Sequence, residues 1–264
     1  VVGALSALAG IGGGVLMVPF LYIVYAASGV SLSAQTVVAH ATSLGVAFVV
    51  SAVGTWRYAR SRAINWRAAA TYSLPGILSA FGTARLLTRA GEIYWVRAAF
   101  GGFLIFTALD MARRAWRAGR QGDQMSPGPE RGWFWLALVG VFAGGLSALL
   151  GIGGGLIAVP VLLYVGRLPV KAVAPTALAG VCLTTLSGGL GYLTAGSGPA
   201  VSPLMTGFLD LRMAIPLAMG AMVTVPLGVR VNRRSSGPAL LWTFAGIFAL
   251  IGVYLVADWA MGSA

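Results

Sequence analysis

Residues 3–19 read GALSALAGIGGGVLMVP and residues 144–160 read GGLSALLGIGGGLIAVP. At a constant offset of 141 positions, 12 of these 17 residues are identical, so the chain contains one segment twice. Each copy sets four glycines within five positions, Gly10, Gly12, Gly13 and Gly14 in one and Gly151, Gly153, Gly154 and Gly155 in the other, with Pro19 or Pro160 following. A glycine costs a helix interior about 1 kcal/mol relative to alanine. The clusters therefore predict that a helix breaks at both places.

The flanks say in which solvent. Of 264 residues, 58% are hydrophobic and only 9% charged, and the mean hydropathy is +0.87. A soluble domain carries about a quarter charged residues, so that class is excluded. Apolar runs near the ~20 residues a bilayer core demands cover 1–27, 34–56, 68–87 and 95–111, then 133–165, 170–194, 213–231 and 240–257. Lipid admits helices or closed barrels, and these runs lack the two-residue alternation of a barrel. The fold expected is an all-α integral membrane protein of two homologous halves, 1–112 and 132–264, joined by a polar basic linker at 113–131. Each half holds one glycine-interrupted helix, broken or re-entrant, and three transmembrane helices.

The repeat continues more weakly downstream. Thr42-Ser43-Leu44 answers Thr176-Ala177-Leu178, Gly54 answers Gly188 and Tyr58 answers Tyr192. Asn65-Trp66-Arg67 answers Asp210-Leu211-Arg212, and Arg85 answers Arg230.

The net charge of +12 comes from 17 Arg and one Lys against six acidic residues. These cations sit in short clusters between apolar runs, a pattern that sets membrane topology and does not point to nucleic acid. If all eight segments cross fully, the basic residues split 10 inside to 8 outside; if each interrupted segment enters and leaves on one side, the split is 14 to 4. The second arrangement obeys the positive-inside rule and makes the halves inverted repeats about an in-plane pseudo-two-fold axis, as in many secondary transporters.

A helix break at membrane depth exposes backbone N–H and C=O groups that need partners. A half-helix starting after the glycines aims its N–H groups and positive dipole end at the break, which favours an anion. Gly12, Gly13, Gly14, Pro19, Gly153, Gly154, Gly155 and Pro160 are thus candidate substrate-binding positions. The competing reading is close helix packing, because Gly10 to Gly14 and Gly151 to Gly155 also satisfy GxxxG. A dinucleotide fingerprint is excluded: Val15 and Leu156 stand where its third glycine belongs, with no βαβ context. Thr42, Ser43 and Thr176, placed in the first turns of the next helix, either donate to the anion or bond back to helix carbonyls. His40, the sole histidine, is either a hydrogen-bonded structural group or a proton-linked one. Arg85 and Arg230 either snorkel to the interface or line an anion path. The lone Cys182 reads as a small core residue, and no cleavable signal peptide is read at the N-terminus.

The doubled GxGGGxxxVP, followed in each half by a helix carrying a Thr-Ser or Thr-Ala pair, resembles the TauE/SafE sulfite exporter family over essentially the whole chain. The resemblance implies export of sulfur-containing oxyanions, such as sulfite or organosulfonates, across the cytoplasmic membrane by a multi-pass protein. It carries the family signature onto Gly10, Gly12, Gly13, Gly14, Pro19, Thr42 and Ser43, and onto Gly151, Gly153, Gly154, Gly155, Pro160 and Thr176. Ala177 opposite Ser43 removes one hydroxyl and makes the site asymmetric.

The function expected is a secondary transporter of small anions working by alternating access around the paired breaks, and not an enzyme. A passive anion channel is the alternative. An intramembrane serine hydrolase using Ser187 with His40 is the remote one, since the Leu-Ser-Gly-Gly context lacks the first glycine of a GxSxG elbow. No Walker A sequence is present, and no cofactor or metal is expected. The partners expected are a small anionic substrate and membrane lipid; a second copy of the chain and coupling to protons are compatible with the architecture.

Overall fold

A computed structural model describes residues 2–90, 94–121, 133–196, 198 and 201–262. Ten helices account for nearly all of it. In the first half they are α1 (Val2–Ala9), α2 (Gly14–Ala27), α3 (Leu32–Arg60), α4 (Trp66–Ala90) and α5 (Tyr94–Gln121). The second half has α6 (Trp133–Leu150), α7 (Gly155–Tyr164), α8 (Val170–Leu193), α9 (Leu211–Arg234) and α10 (Gly237–Gly262). Each half is thus a broken helix pair followed by three long helices. Four of the long helices, α3, α8, α9 and α10, are apolar and long enough to cross a membrane. Helices α3, α4, α5, α9 and α10 outrun the apolar segments 34–56, 68–87, 95–111, 213–231 and 240–257, whereas α8 matches 170–194 to within one residue. Residues 113–121, read as the start of the linker, extend α5; residues 122–131 lie outside the described residues. One short antiparallel hairpin interrupts the helical pattern, pairing Met205 with Asp210 and Thr206 with Leu209.

Both glycine clusters break the helix. Gly10, Gly12 and Gly13, and their counterparts Gly151, Gly153 and Gly154, take positive φ between 65° and 89°. An L side chain is costly there, which is why glycine recurs at those positions and the α-helical run cannot continue.

The two halves interlock. The first half's α4 packs along α6 of the second, α9 of the second packs along α1 of the first, and α5 pairs with α10. Small residues make these contacts close. A Cβ added to Gly3 would lie 2.2 Å from the Ala221 carbonyl oxygen, and one added to Gly144, its repeat partner, 2.2 Å from that of Gly76. At the centre, α3 and α8 run antiparallel: Gly54 faces Leu178 near one end of the pair and Gly188 faces Leu44 near the other. Large apolar side chains cover the outside, Leu78 at 78% exposure and Val223 at 76% among them. Water would not tolerate that surface; hydrocarbon does.

A broken helix leaves carbonyls without donors at its C-terminal end, and here the long helices supply them. Tyr58 Oη donates to the Ala7 oxygen (2.9 Å), and its repeat partner Tyr192 donates to Ala148 (3.0 Å). Asn232 Nδ2 donates to Leu8 O at 2.7 Å. Tyr58→Phe is expected to leave the buried Ala7 carbonyl undersatisfied and to cost about 1–2 kcal/mol, with Tyr192→Phe costing a similar amount; thermal unfolding of the purified variants in detergent checks both.

Candidate functional site

The two breaks meet at the core of the molecule. Gly14 lies against Gly151 and Ile152, and Gly155 against Gly10 and Ile11, so the clusters cross in antiparallel sense. A Cβ at Gly14 would come within 2.6 Å of the Gly151 oxygen, and one at Gly155 within 2.3 Å of the Ile11 Cα. The glycines therefore break their helices and also pack two backbones together. Gly12 and Gly153 both abut Ala47 of α3 and Val181 of α8, which close the crossing from the side. All of 10–14 and 151–155 is buried.

Some carbonyls beside the crossing are served by protein side chains: besides Tyr58, Tyr192 and Asn232, Ser43 Oγ donates to the Gly151 oxygen at 2.6 Å and to His40 O at 2.8 Å. The N–H groups of Gly12, Gly13 and Gly14, and of Gly153, Gly154 and Gly155, meet no acceptor among the described residues. They open α2 and α7, where the helix dipole presents its positive end. Pro19 and Pro160 sit inside those two helices and withhold one further N–H from each ladder.

Three hydroxyls with no hydrogen-bond partner among the described residues border the same breaks. Ser6 Oγ lies 3.5 Å from the Cβ position of Gly13, and its repeat partner Ser147 Oγ lies 3.2 Å from that of Gly154. Tyr72 Oη of α4 is 3.4 Å from the same Gly154 point. Ser6, Ser147 and Tyr72 are each 0% exposed. Sequence reading passed over all three, although Ser6 and Ser147 are matched letters of the quoted repeat. A helical serine within an apolar run looks like packing until its neighbours are known.

His40 lies on the first half's α3 but faces the second half's break. A Cβ at Gly151 would sit 2.7 Å from its Cδ2, and its Nε2 is 2.9 Å from Tyr22 Oη. The position equivalent to His40 is Ala174, which lies in the same way against Gly10. Together with Ala177 opposite Ser43, this makes one side of the crossing polar and the other apolar.

Thr42 and Thr176 sit deeper in their helices than the first turns. Thr42 Oγ1 accepts the N–H of Asp210 (3.0 Å) and Thr176 Oγ1 that of Asn65 (3.1 Å). Asp210 and Asn65 in turn cap α9 and α4, accepting from Arg212 N and Ala68 N at 3.0 Å each. The threonines therefore tie the start of α9 to α3 and the start of α4 to α8, each across to the other half. Arg85 and Arg230 are not brought to the crossing. Arg85 Nη2 donates to Thr194 O at 2.8 Å, at the end of α8, and Arg230 lines a separate cavity between α3 and α9. Ser187 donates to Ile77 O at 2.6 Å, whereas His40 pairs with Tyr22, so the pair named for a hydrolase is not hydrogen-bonded together.

Comparison with known proteins agrees with this architecture. The chain is similar to two proteins named as probable membrane transporters. One is MJ0441 of Methanocaldococcus jannaschii, 28% identical over 97% of this chain and 92% of the relative. The other is YunE of Bacillus subtilis, 23% identical over 98% of this chain and 94% of the relative. No solved structure matches. Residues 1–255 match the family described as "Sulfite exporter TauE/SafE". With two matched helix breaks, lipid-compatible outer surfaces and a family match across nearly its full length, the chain is a multi-pass membrane transporter and belongs to the TauE/SafE family.

Proposed function

We propose that the protein is a secondary carrier for a small sulfur-containing oxyanion, sulfite or an organosulfonate, working by alternating access around the crossed breaks and exporting its substrate across the cell membrane. One observation carries this reading. The buried N–H groups of Gly12, Gly13 and Gly14 and of Gly153, Gly154 and Gly155, gathered at the positive ends of α2 and α7, lack acceptors among the described residues, which supports an acceptor with negative charge as the group that completes the site. An oxyanion provides several acceptor oxygens for N–H groups arriving from two directions. The hydroxyls of Ser6, Ser147 and Tyr72 add donors at the same place.

Inverted topology of the halves belongs to the same reading, supported by the antiparallel run of the equivalent helices α3 and α8. Rocking one half against the other about the shared glycines would open the crossing to either side in turn. The test is counterflow in proteoliposomes. Vesicles preloaded with unlabelled sulfite are expected to accumulate labelled sulfite transiently above the outside concentration, and a sulfonate on the outside to compete. Downhill equilibration without overshoot would identify a passive pore, and failure of sulfite and sulfonates alike, with another anion succeeding, would overturn the substrate class.

A further inference from the structure

Away from the crossing, the C-terminal ends of α3 and α9 enclose an open cavity of about 520 Å³, lined by Trp56, Arg57, Arg60, Arg230, Arg233 and Arg234 with Pro226 and Val229. That volume lies in the range of small-molecule sites. Five guanidinium groups share it, no acidic side chain lines it, and none of the five has a carboxylate partner among the described residues. Helix-end placement accounts for Arg57, Arg60, Arg233 and Arg234 singly, since cations favour the C-terminal dipole. It does not account for their convergence on one concavity, where like charges repel.

The other half shows that the fold does not require this cluster. At the equivalent positions Arg57 and Arg60 are replaced by Gly191 and Thr194, and Arg233 by Thr88. There Arg85, the counterpart of Arg230, spends its guanidinium on the Thr194 carbonyl. Arg234 keeps an arginine at its counterpart Arg89, so three of the five guanidinium groups, those of Arg57, Arg60 and Arg233, are additions on one side of a two-fold frame.

Its surroundings specify the ligand further. Met219, Val223, Leu227 and Val231, spaced every fourth residue and all more than 40% exposed, form an apolar stripe along α9 that ends beside the cavity. Trp56 stands half-exposed at its rim with the Arg60 guanidinium 3.8 Å from the ring centroid. An anionic head above an apolar track is the shape of an acidic phospholipid at the membrane surface.

We propose that this cavity binds the phosphate headgroup of an anionic phospholipid, with an acyl chain lying along the α9 stripe. The shared chemistry with a soluble phosphate ester is the phosphate; the stripe assigns the lipid as its source. The experiment is native mass spectrometry of the purified protein with phosphatidylglycerol, phosphatidylcholine and soluble glycerol phosphate, paired with thermal unfolding. Wild type is expected to retain phosphatidylglycerol over phosphatidylcholine and to unfold at a higher temperature with it. Arg60→Gln with Arg233→Gln is expected to weaken retention about 30-fold, the loss of two guanidinium attractions at a membrane surface. Arg60→Lys with Arg233→Lys should restore most of it, while Arg113→Gln with Arg117→Gln, equal in charge but outside the cavity, should leave it unchanged. Unfolding of the lipid-free variants reports whether they fold. Equal losses in the cavity and control variants would overturn the proposal, as would glycerol phosphate binding as tightly as the lipid.

Discussion

Gly155→Ala is expected to be among the most damaging single methyls that can be added at the crossing, lowering stability by about 3 kcal/mol or more and abolishing transport. The new Cβ would fall 2.3 Å from Ile11 Cα, 2.5 Å from Gly10 O and 2.6 Å from Ile11 C. All three are backbone atoms of the opposite half, so no side chain can swing aside, and overpacking of this kind ordinarily costs about 1–3 kcal/mol even where relief is available. Gly155 has no positive φ, so the effect is purely steric. Gly14→Ala meets the Gly151 oxygen at 2.6 Å and should behave alike. Gly82→Ala in α4 is the control, because nothing lies within 4 Å of its Cβ; helix propensity should leave it unchanged or stabilised by up to about 1 kcal/mol. Thermal unfolding in detergent separates the cases. Equal melting temperatures for Gly155→Ala and Gly82→Ala would show that the two breaks do not press against each other as described.

The second large effect separates binding from folding. Ser147→Ala and Tyr72→Phe each remove a buried hydroxyl that has no hydrogen-bond partner. Deleting an unsatisfied buried polar group relieves a desolvation cost of about 1–3 kcal/mol, so the melting temperature should hold or rise. If those hydroxyls bind the transported anion, flux should fall by about tenfold or more for each, since a hydrogen bond to a charged group contributes about 1.5–3 kcal/mol. A purely structural role gives the opposite pattern, with stability lost and flux kept per folded molecule. Sulfite flux in proteoliposomes, normalised to folded protein, measures both arms. Undiminished flux in the Ser147→Ala, Tyr72→Phe double variant would remove these hydroxyls from the site.

How much of this was readable from residues alone varies from place to place. The repeat Gly3–Pro19 against Gly144–Pro160 located both helix breaks, because the positive φ that only glycine adopts cheaply is a property of the residue itself. The pairing of Asn65 with Asp210 was equally visible, and both prove to cap a long helix and to donate to a matched threonine. The apolar run 95–111 stops ten residues before the end of α5 at Gln121, since hydropathy falls off before the backbone spiral does, whereas 170–194 matches α8 to within one residue. Thr42 illustrates what was out of reach: its two offered roles were anion donor and local back-bond, and its hydroxyl instead receives an N–H from Asp210, 168 positions away.

Apolar runs, glycine clusters and their duplication, read from the sequence by themselves, determine a helical membrane protein of two like halves, each broken at a known point. Those are consequences of solvent and of local backbone energetics, which a residue carries wherever it goes. That the breaks cross, that His40 and Ser43 of one half serve the glycines of the other, that Ser6, Ser147 and Tyr72 face the same breaks, and that arginines of α3 and α9 share one cavity were decided only in three dimensions. Each is a contact between segments far apart in the chain, set by how two interlocked halves pack, and packing of that kind leaves no periodic trace along the sequence.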